Sequence, residues 1–173
     1  GGLYIPGFIY HVGDTNTYFG FGAPDVFDLA VGGSRKLYAD SAALYLYYSG
    51  SQKLRTTNTG VTVTGDTQID SALLSNQENT DVDTGTETVA SVAIATYTAA
   101  FFDFVIKKTT NVRSGTVYAC HDGTTVQFTE TSTQDLGDTS DVTLSVDISG
   151  GNMRLRATTT SDNWSIKSLI RAI

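Results

Sequence analysis

Apolar and polar residues alternate most regularly towards the end of the chain. Val142, Leu144, Val146 and Ile148 fall on one side of a two-residue period, and Thr143, Ser145 and Asp147 on the other. That is the pattern of a strand with one buried face. Gly150-Gly151 then turns the chain into Met153-Arg-Leu-Arg-Ala157. Val117–His121 and Thr125–Thr129 flank Asp122-Gly123, the strongest short-range hairpin signal. Phe101–Lys107 and Trp164–Ile173 complete a set of six to eight strands, with Trp164, Ile166, Ile170 and Ala172 suited to a sheet interior. Regular strands with turn residues between them predict an antiparallel β-sandwich or jelly-roll-like domain over residues 88–173. About 90 residues can fold around a core of their own, though a small one.

Residues 1–73 read differently. They hold seven of the nine Tyr and contain a repeat. Val26–Leu37 can be laid over Ala43–Leu54 at an offset of 17, with Leu29/Leu46, Gly33/Gly50, Ser34/Ser51, Lys36/Lys53 and Leu37/Leu54 identical. Each unit reads as a strand, a Gly-Ser turn and a second short strand. A further short strand, Gly60–Thr64, ends at Gly65-Asp66. Such strands are too short and too few to close a core from one chain, and repeats of this kind need neighbours. In Tyr45-Leu46-Tyr47-Tyr48 both faces of one strand are apolar or aromatic. An intertwined homotrimer would cover both; the alternative is half of an ordinary sandwich packed on the C-terminal part.

Between these regions, residues 74–87 read as a polar joint, with a short helical turn at Asp70–Asn76 capped by Asp70 or Ser71. The opening Gly1-Gly2, without an initiator Met, suggests a fragment or a processed product.

Composition sharpens the fold class. Of 173 residues 27 are Thr, and of the 18 acids 15 are Asp and only 3 Glu. Thr favours strands, Asp favours turns and the scarce Glu favours helices, so an all-β protein is predicted. The net charge of -7 repels phosphate backbones and argues against nucleic acid as a partner. No apolar run reaches the roughly 18 residues of a membrane-spanning helix. A single Cys excludes an intrachain disulfide framework.

Candidate chemistry is sparse. Cys120 and His121 are adjacent, but on a strand they point to opposite faces and cannot form a dyad; Cys120 is expected in the core. His11 and His121 are too few for a metal site within one chain, although a trimer could gather three copies of one His on its axis. Asn79, Asp81 and Asp83 resemble the start of a calcium loop, but the Gly falls at Gly85 and the closing acid position is Ala90. Gly20-Phe-Gly22 leads into Ala-Pro-Asp rather than a helix and cannot cradle a pyrophosphate. Nothing selects a catalytic pair among the Asp residues. Tyr45, Tyr47, Tyr48 and Trp164 could stack on sugars, though a packing role is expected of each. The expectation is therefore no enzyme, with catalytic, cofactor and metal residues all none.

Two stretches resemble a known group. His11-Val-Gly-Asp-Thr-Asn-Thr-Tyr-Phe-Gly-Phe21, Leu44-Tyr-Leu-Tyr-Tyr48 and Gln52–Gly65 look like the repeat segments of tail-fibre proteins of marine tailed phages, cyanophages especially. Phe101–Lys108, Arg113-Ser-Gly-Thr-Val117, Thr129-Glu-Thr-Ser-Thr133, Leu144–Gly150 and Trp164–Ile173 are similar to a β-rich domain that ends many such fibres. The resemblance implies a virion appendage, external to the particle. It would be a homotrimer joined to other tail or capsid proteins, whose outer end touches a host glycan or outer-membrane protein. It brings no catalytic residues. The alternatives are a carbohydrate-binding module with an exposed aromatic platform, and a polysaccharide depolymerase fragment.

Overall fold

The computed structural model describes residues 2–173. The described chain consists of strands and turns without a helix. Every strand pair is antiparallel. Two compact units emerge, one ending at Gly65 and the other running Asp66–Ile173. The all-β reading from Thr and Asp is borne out.

The first unit is one seven-stranded meander with strands in chain order: β1 (Phe8–His11), β2 (Asp14–Gly20), β3 (Phe27–Val31), β4 (Ser34–Ala39), β5 (Leu44–Tyr48), β6 (Ser51–Thr57) and β7 (Gly60–Val63). The repeat forms two bulged hairpins. Gly32-Gly33 joins β3 to β4 and Ser49-Gly50 joins β5 to β6, with φ of 59°, 73°, 48° and 79°. Positive φ at both loop positions gives the turn twist that matches flanking strands. In the first hairpin Leu29↔Leu37 is followed by Ala30↔Arg35, and in the second Leu46↔Leu54 is followed by Tyr47↔Gln52. The unpaired residue is Lys36 in one and Lys53 in the other, so the identical lysines of the repeat are its bulges. The meander has no packed interior: Ala30 is the one buried apolar residue among its described residues.

The second unit is a sandwich of two sheets. One has six strands in the order β13-β12-β11-β16-β9-β8, and the other three in the order β10-β15-β14. Their ranges are β8 (Thr67–Ile69), β9 (Ala72–Val82), β10 (Gly85–Ala93), β11 (Ala99–Lys108), β12 (Asn111–His121), β13 (Val126–Ser132), β14 (Val142–Ser149), β15 (Asn152–Thr159) and β16 (Trp164–Ala172). Trp164, Phe102, Phe104, Ile106, Met153, Leu155, Ile166 and Ile170 are fully buried in its core. The predicted inward set of β16 and the alternation of β14 hold as read.

Three expectations about this region are corrected. The division of the chain falls at Gly65/Asp66, not within a joint at 74–87. The helical turn expected at Asp70–Asn76 is instead the two-residue loop Asp70-Ser71, with Asp70 at φ 54°, closing the hairpin of β8 and β9. Residues 74–87 lie mostly in β9 and the start of β10. Two of their inward polar side chains, Gln77 and Asn79, bond across to the other sheet. The Gln77 amide donates to the Ser91 carbonyl at 2.9 Å and accepts from the Ser91 N–H at 2.9 Å, replacing a ladder rung where the chain changes sheets. Asn79 Nδ2 donates to Glu87 at 2.7 Å.

The Asp122 turn is also wider than a two-residue loop. Val126 pairs with His121, leaving Asp122–Thr125 as the loop. The Asp122 carboxylate accepts the Thr124 and Thr125 N–H groups at 2.9 and 2.7 Å.

Candidate functional site

Directly opposed residues of neighbouring strands share a face, and in the meander this produces one continuous apolar row. Ile9 opposes Phe19, Phe19 opposes Leu29, Leu29 opposes Leu37, Leu37 opposes Leu46, Leu46 opposes Leu54, and Leu54 opposes Val63. All seven strands contribute one residue and none of the seven is charged. Phe27, Ala39 and Leu44 form a shorter row beside it on the same face. Both identical leucine pairs of the repeat, Leu29/Leu46 and Leu37/Leu54, lie in this row. Within the chain it is open: Phe19 is 44% exposed, Leu46 38% and Val63 46%.

The reverse face is polar and aromatic. Its row is Phe8, Gly20, Asp28, Tyr38, Tyr45, Arg55 and Thr62. Arg35 grips the buried Asp28 carboxylate with two nitrogens, Nε at 3.0 Å and Nη2 at 2.7 Å. Its guanidinium lies 4.3 Å from the Tyr38 ring centre, and Tyr38 packs on Tyr45 with centres 5.7 Å apart. Phe8, Tyr10 and Tyr18 form a second aromatic group. Gly20 is required there, since a Cβ would strike the Gly7 carbonyl and lie 2.7 Å from Phe8 Cα. The Gly20-Phe-Gly22 run is thus a close approach of backbones, with no part in phosphate binding.

Charge divides as sharply as burial. The first unit carries Arg35, Lys36, Lys53 and Arg55 against Asp14, Asp25, Asp28 and Asp40, a net charge of zero. The remaining seven cations and fourteen acids place the whole -7 on Asp66–Ile173.

On the sandwich, the outer face of the six-stranded sheet presents a smaller aromatic feature. Thr129, Tyr118, Phe101, Arg171 and Leu74 oppose one another in sequence across five strands. The Phe101 and Tyr118 rings meet edge to face at 5.7 Å, and the Arg171 guanidinium sits 4.9 Å from the Phe101 ring centre. Asp103 anchors that arginine at 3.2 Å and accepts the Thr116 hydroxyl at 2.6 Å. A shallow hollow of about 370 Å³ beside it is lined by Phe101, Tyr118, Cys120, Gln127 and Thr129, among others.

Cys120 is exposed, against the expectation of a core position. Strand parity decides this: Val117 and Ala119 point inward, so Tyr118 and Cys120 point out. His121 Nε2 donates to the Tyr97 carbonyl at 2.7 Å while Nδ1 accepts the Gly123 N–H at 2.9 Å, which makes it a loop latch. His11 is exposed at the end of β1. Asn79 and Asp83 serve backbone: Asn79 Oδ1 accepts from the Asp81 N–H of its own strand, and Asp83 Oδ1 from the Asn163 N–H between β15 and β16, both at 3.1 Å. Among the described residues no group of His, Cys, Asp and Glu converges to hold a metal ion. Of the four candidate sugar-stacking aromatics only Trp164 is in a core, while Tyr45 and Tyr47 are half-buried and Tyr48 is 70% exposed.

The apolar row was missed from the sequence because its members are spread one per strand. The repeat offset carried the signal, since it superposes the leucines that the register later aligns.

No protein-family model matches this chain, and no curated protein or solved structure matches it either.

Proposed function

We propose that this chain is a structural fibre protein of a virion, a tail fibre or receptor-binding tip that attaches to the host as a homotrimer. The observation that carries the reading is the meander: seven strands with an apolar row across them and Ala30 as the one buried apolar side chain among its described residues. A sheet needs a second layer to exclude water from its apolar face, and sister copies of the chain supply it. The likeness of both stretches to tail-fibre segments supports the same reading. Attachment then works by avidity, because three weak contacts per trimer bind together where one would not. The sandwich, with a complete core, is the part that faces the host.

Light scattering on the purified chain is expected to give three times 18.4 kDa, and labelled antibody is expected to decorate the appendages of phage particles in electron micrographs. A single-chain mass at micromolar concentration overturns the proposal.

The Phe101–Tyr118 platform favours a second reading, a carbohydrate-binding module. Edge-packed rings beside an anchored arginine offer an apolar surface with polar groups at its rim, which suits a sugar ring. Glycan-array binding by the full chain, lost in Tyr118→Ala, supports that reading; binding unchanged in Tyr118→Ala removes it.

A further inference from the structure

We infer that the apolar row of the meander is the contact face between copies of this chain, and that the Tyr38–Tyr45–Arg55 face is turned outward. This rests on the fibre reading and adds which face assembles, and on what. A second copy is the occupant for three reasons. The row crosses all seven strands, a strip about 30 Å long at the usual strand spacing, so it is too long and flat for a small ligand. It contains no charge, and the unit that bears it is neutral, so this unit adds no repulsion between copies. A basic or acidic partner would gain no attraction there. Finally, the row is made of like residues, Leu29, Leu37, Leu46 and Leu54 at its centre, and such a strip is complementary to itself.

Strand parity disfavours a closed ring of copies joined edge to edge. A meander of seven strands has its two edge strands, β1 and β7, running the same way. Lateral joining of β7 to β1 of the next copy would need a parallel pair in an otherwise antiparallel sheet, the slightly weaker ladder. Stacking the leucine face removes apolar surface from water and leaves the Asp28–Arg35 pair on the wet side, where its exposed guanidinium stays hydrated.

The test uses the full chain with Cys120→Ser, so that an added thiol is the only one. Leu46→Cys places a thiol on the leucine face, and Tyr45→Cys, one residue earlier, places it on the reverse face. With a short bismaleimide, Leu46→Cys is expected to give covalent multimers on a denaturing gel at least tenfold in excess of those from Tyr45→Cys. Leu46→Asp is expected to move the scattering mass to that of one chain while Trp164 emission stays native, and Thr62→Asp on the other face is expected to leave the mass unchanged. If the chain is oligomeric but Tyr45→Cys cross-links as well as Leu46→Cys, or neither does, the face assignment is wrong and the fibre reading stands. A single-chain mass for the unmodified protein overturns both.

Discussion

The two units are built from the same residue vocabulary and solve the burial problem in opposite ways. The sandwich folds two sheets over one core, and its strands alternate because one face has been covered within the chain. The meander spreads seven strands in one layer and leaves a leucine face open. A strand sequence therefore does not by itself say where its cover comes from. The count of strands that the chain can bring to the other side of that face does.

Dilution breaks or upholds this contrast most directly. Seven of the nine Tyr lie before Gly65 and the only Trp is in the sandwich core, so the two units report separately. On dilution, the near-ultraviolet dichroism of the tyrosines is expected to collapse while Trp164 emission does not move. Loss of both signals together would show one cooperative unit and end the comparison.

Within the sandwich, Phe102→Ala removes a ring that is 0% exposed. It is expected to cost about 3–5 kcal/mol in urea unfolding followed at Trp164. Leu46→Ala, at an open position, should leave that transition where it is. Gly115→Ala comes next. A Cβ there meets the Thr131 carbonyl, sits 2.8 Å from Ser132 Cα and 3.0 Å from the Phe104 ring, forcing β12 from β13. The expected cost is about 1–3 kcal/mol by the same measurement.

Acid separates the units further. In the sandwich, Asp122 is held down to about 2 by the Thr125 and Thr124 N–H groups. Asp138, Asp147 and Asp162 are lowered by the Ser140 hydroxyl, the Arg154 guanidinium and the Thr84 hydroxyl. In the meander Asp14 is lowered, chiefly by the Thr17 hydroxyl. A carboxyl lowered in the folded state stabilises it fully above the unfolded value of about 3.9, and that contribution fades as pH falls towards the folded value. The urea midpoint at Trp164 is expected to be flat above pH 5 and to drop between pH 4 and about 2. The smallest effect belongs to Cys120→Ser, expected within about 0.5 kcal/mol of the parent. The native thiol should react with an aromatic disulfide reagent without prior unfolding.

The sandwich was legible wherever strand parity was clean, as in β14 and β16, and the two hairpins of the repeat, though not their bulges, were legible through their offset. Three features escaped. Strand β9 reads as a loop because its inward positions are Ser75, Gln77 and Asn79, polar residues of which Ser75 donates to Asp66 ahead of β8 while Gln77 and Asn79 reach β10 of the other sheet. Sequence shows their polarity and not their partners. Cys120 was misplaced because residue type was weighed over phase, although Tyr118 two residues earlier already carried the outward parity. The leucine row needed the register of six strand pairs, which no single segment holds.

The duplicated hairpin has one more consequence. Each copy occupies 17 residues, makes two strands and absorbs one lysine at its kink. Splicing in another copy would return the backbone to its original heading with its leucines on the original side. The sheet can thus grow or shrink by whole modules without scrambling which side is greasy, and its width is a ruler whose markings are set by that spacing.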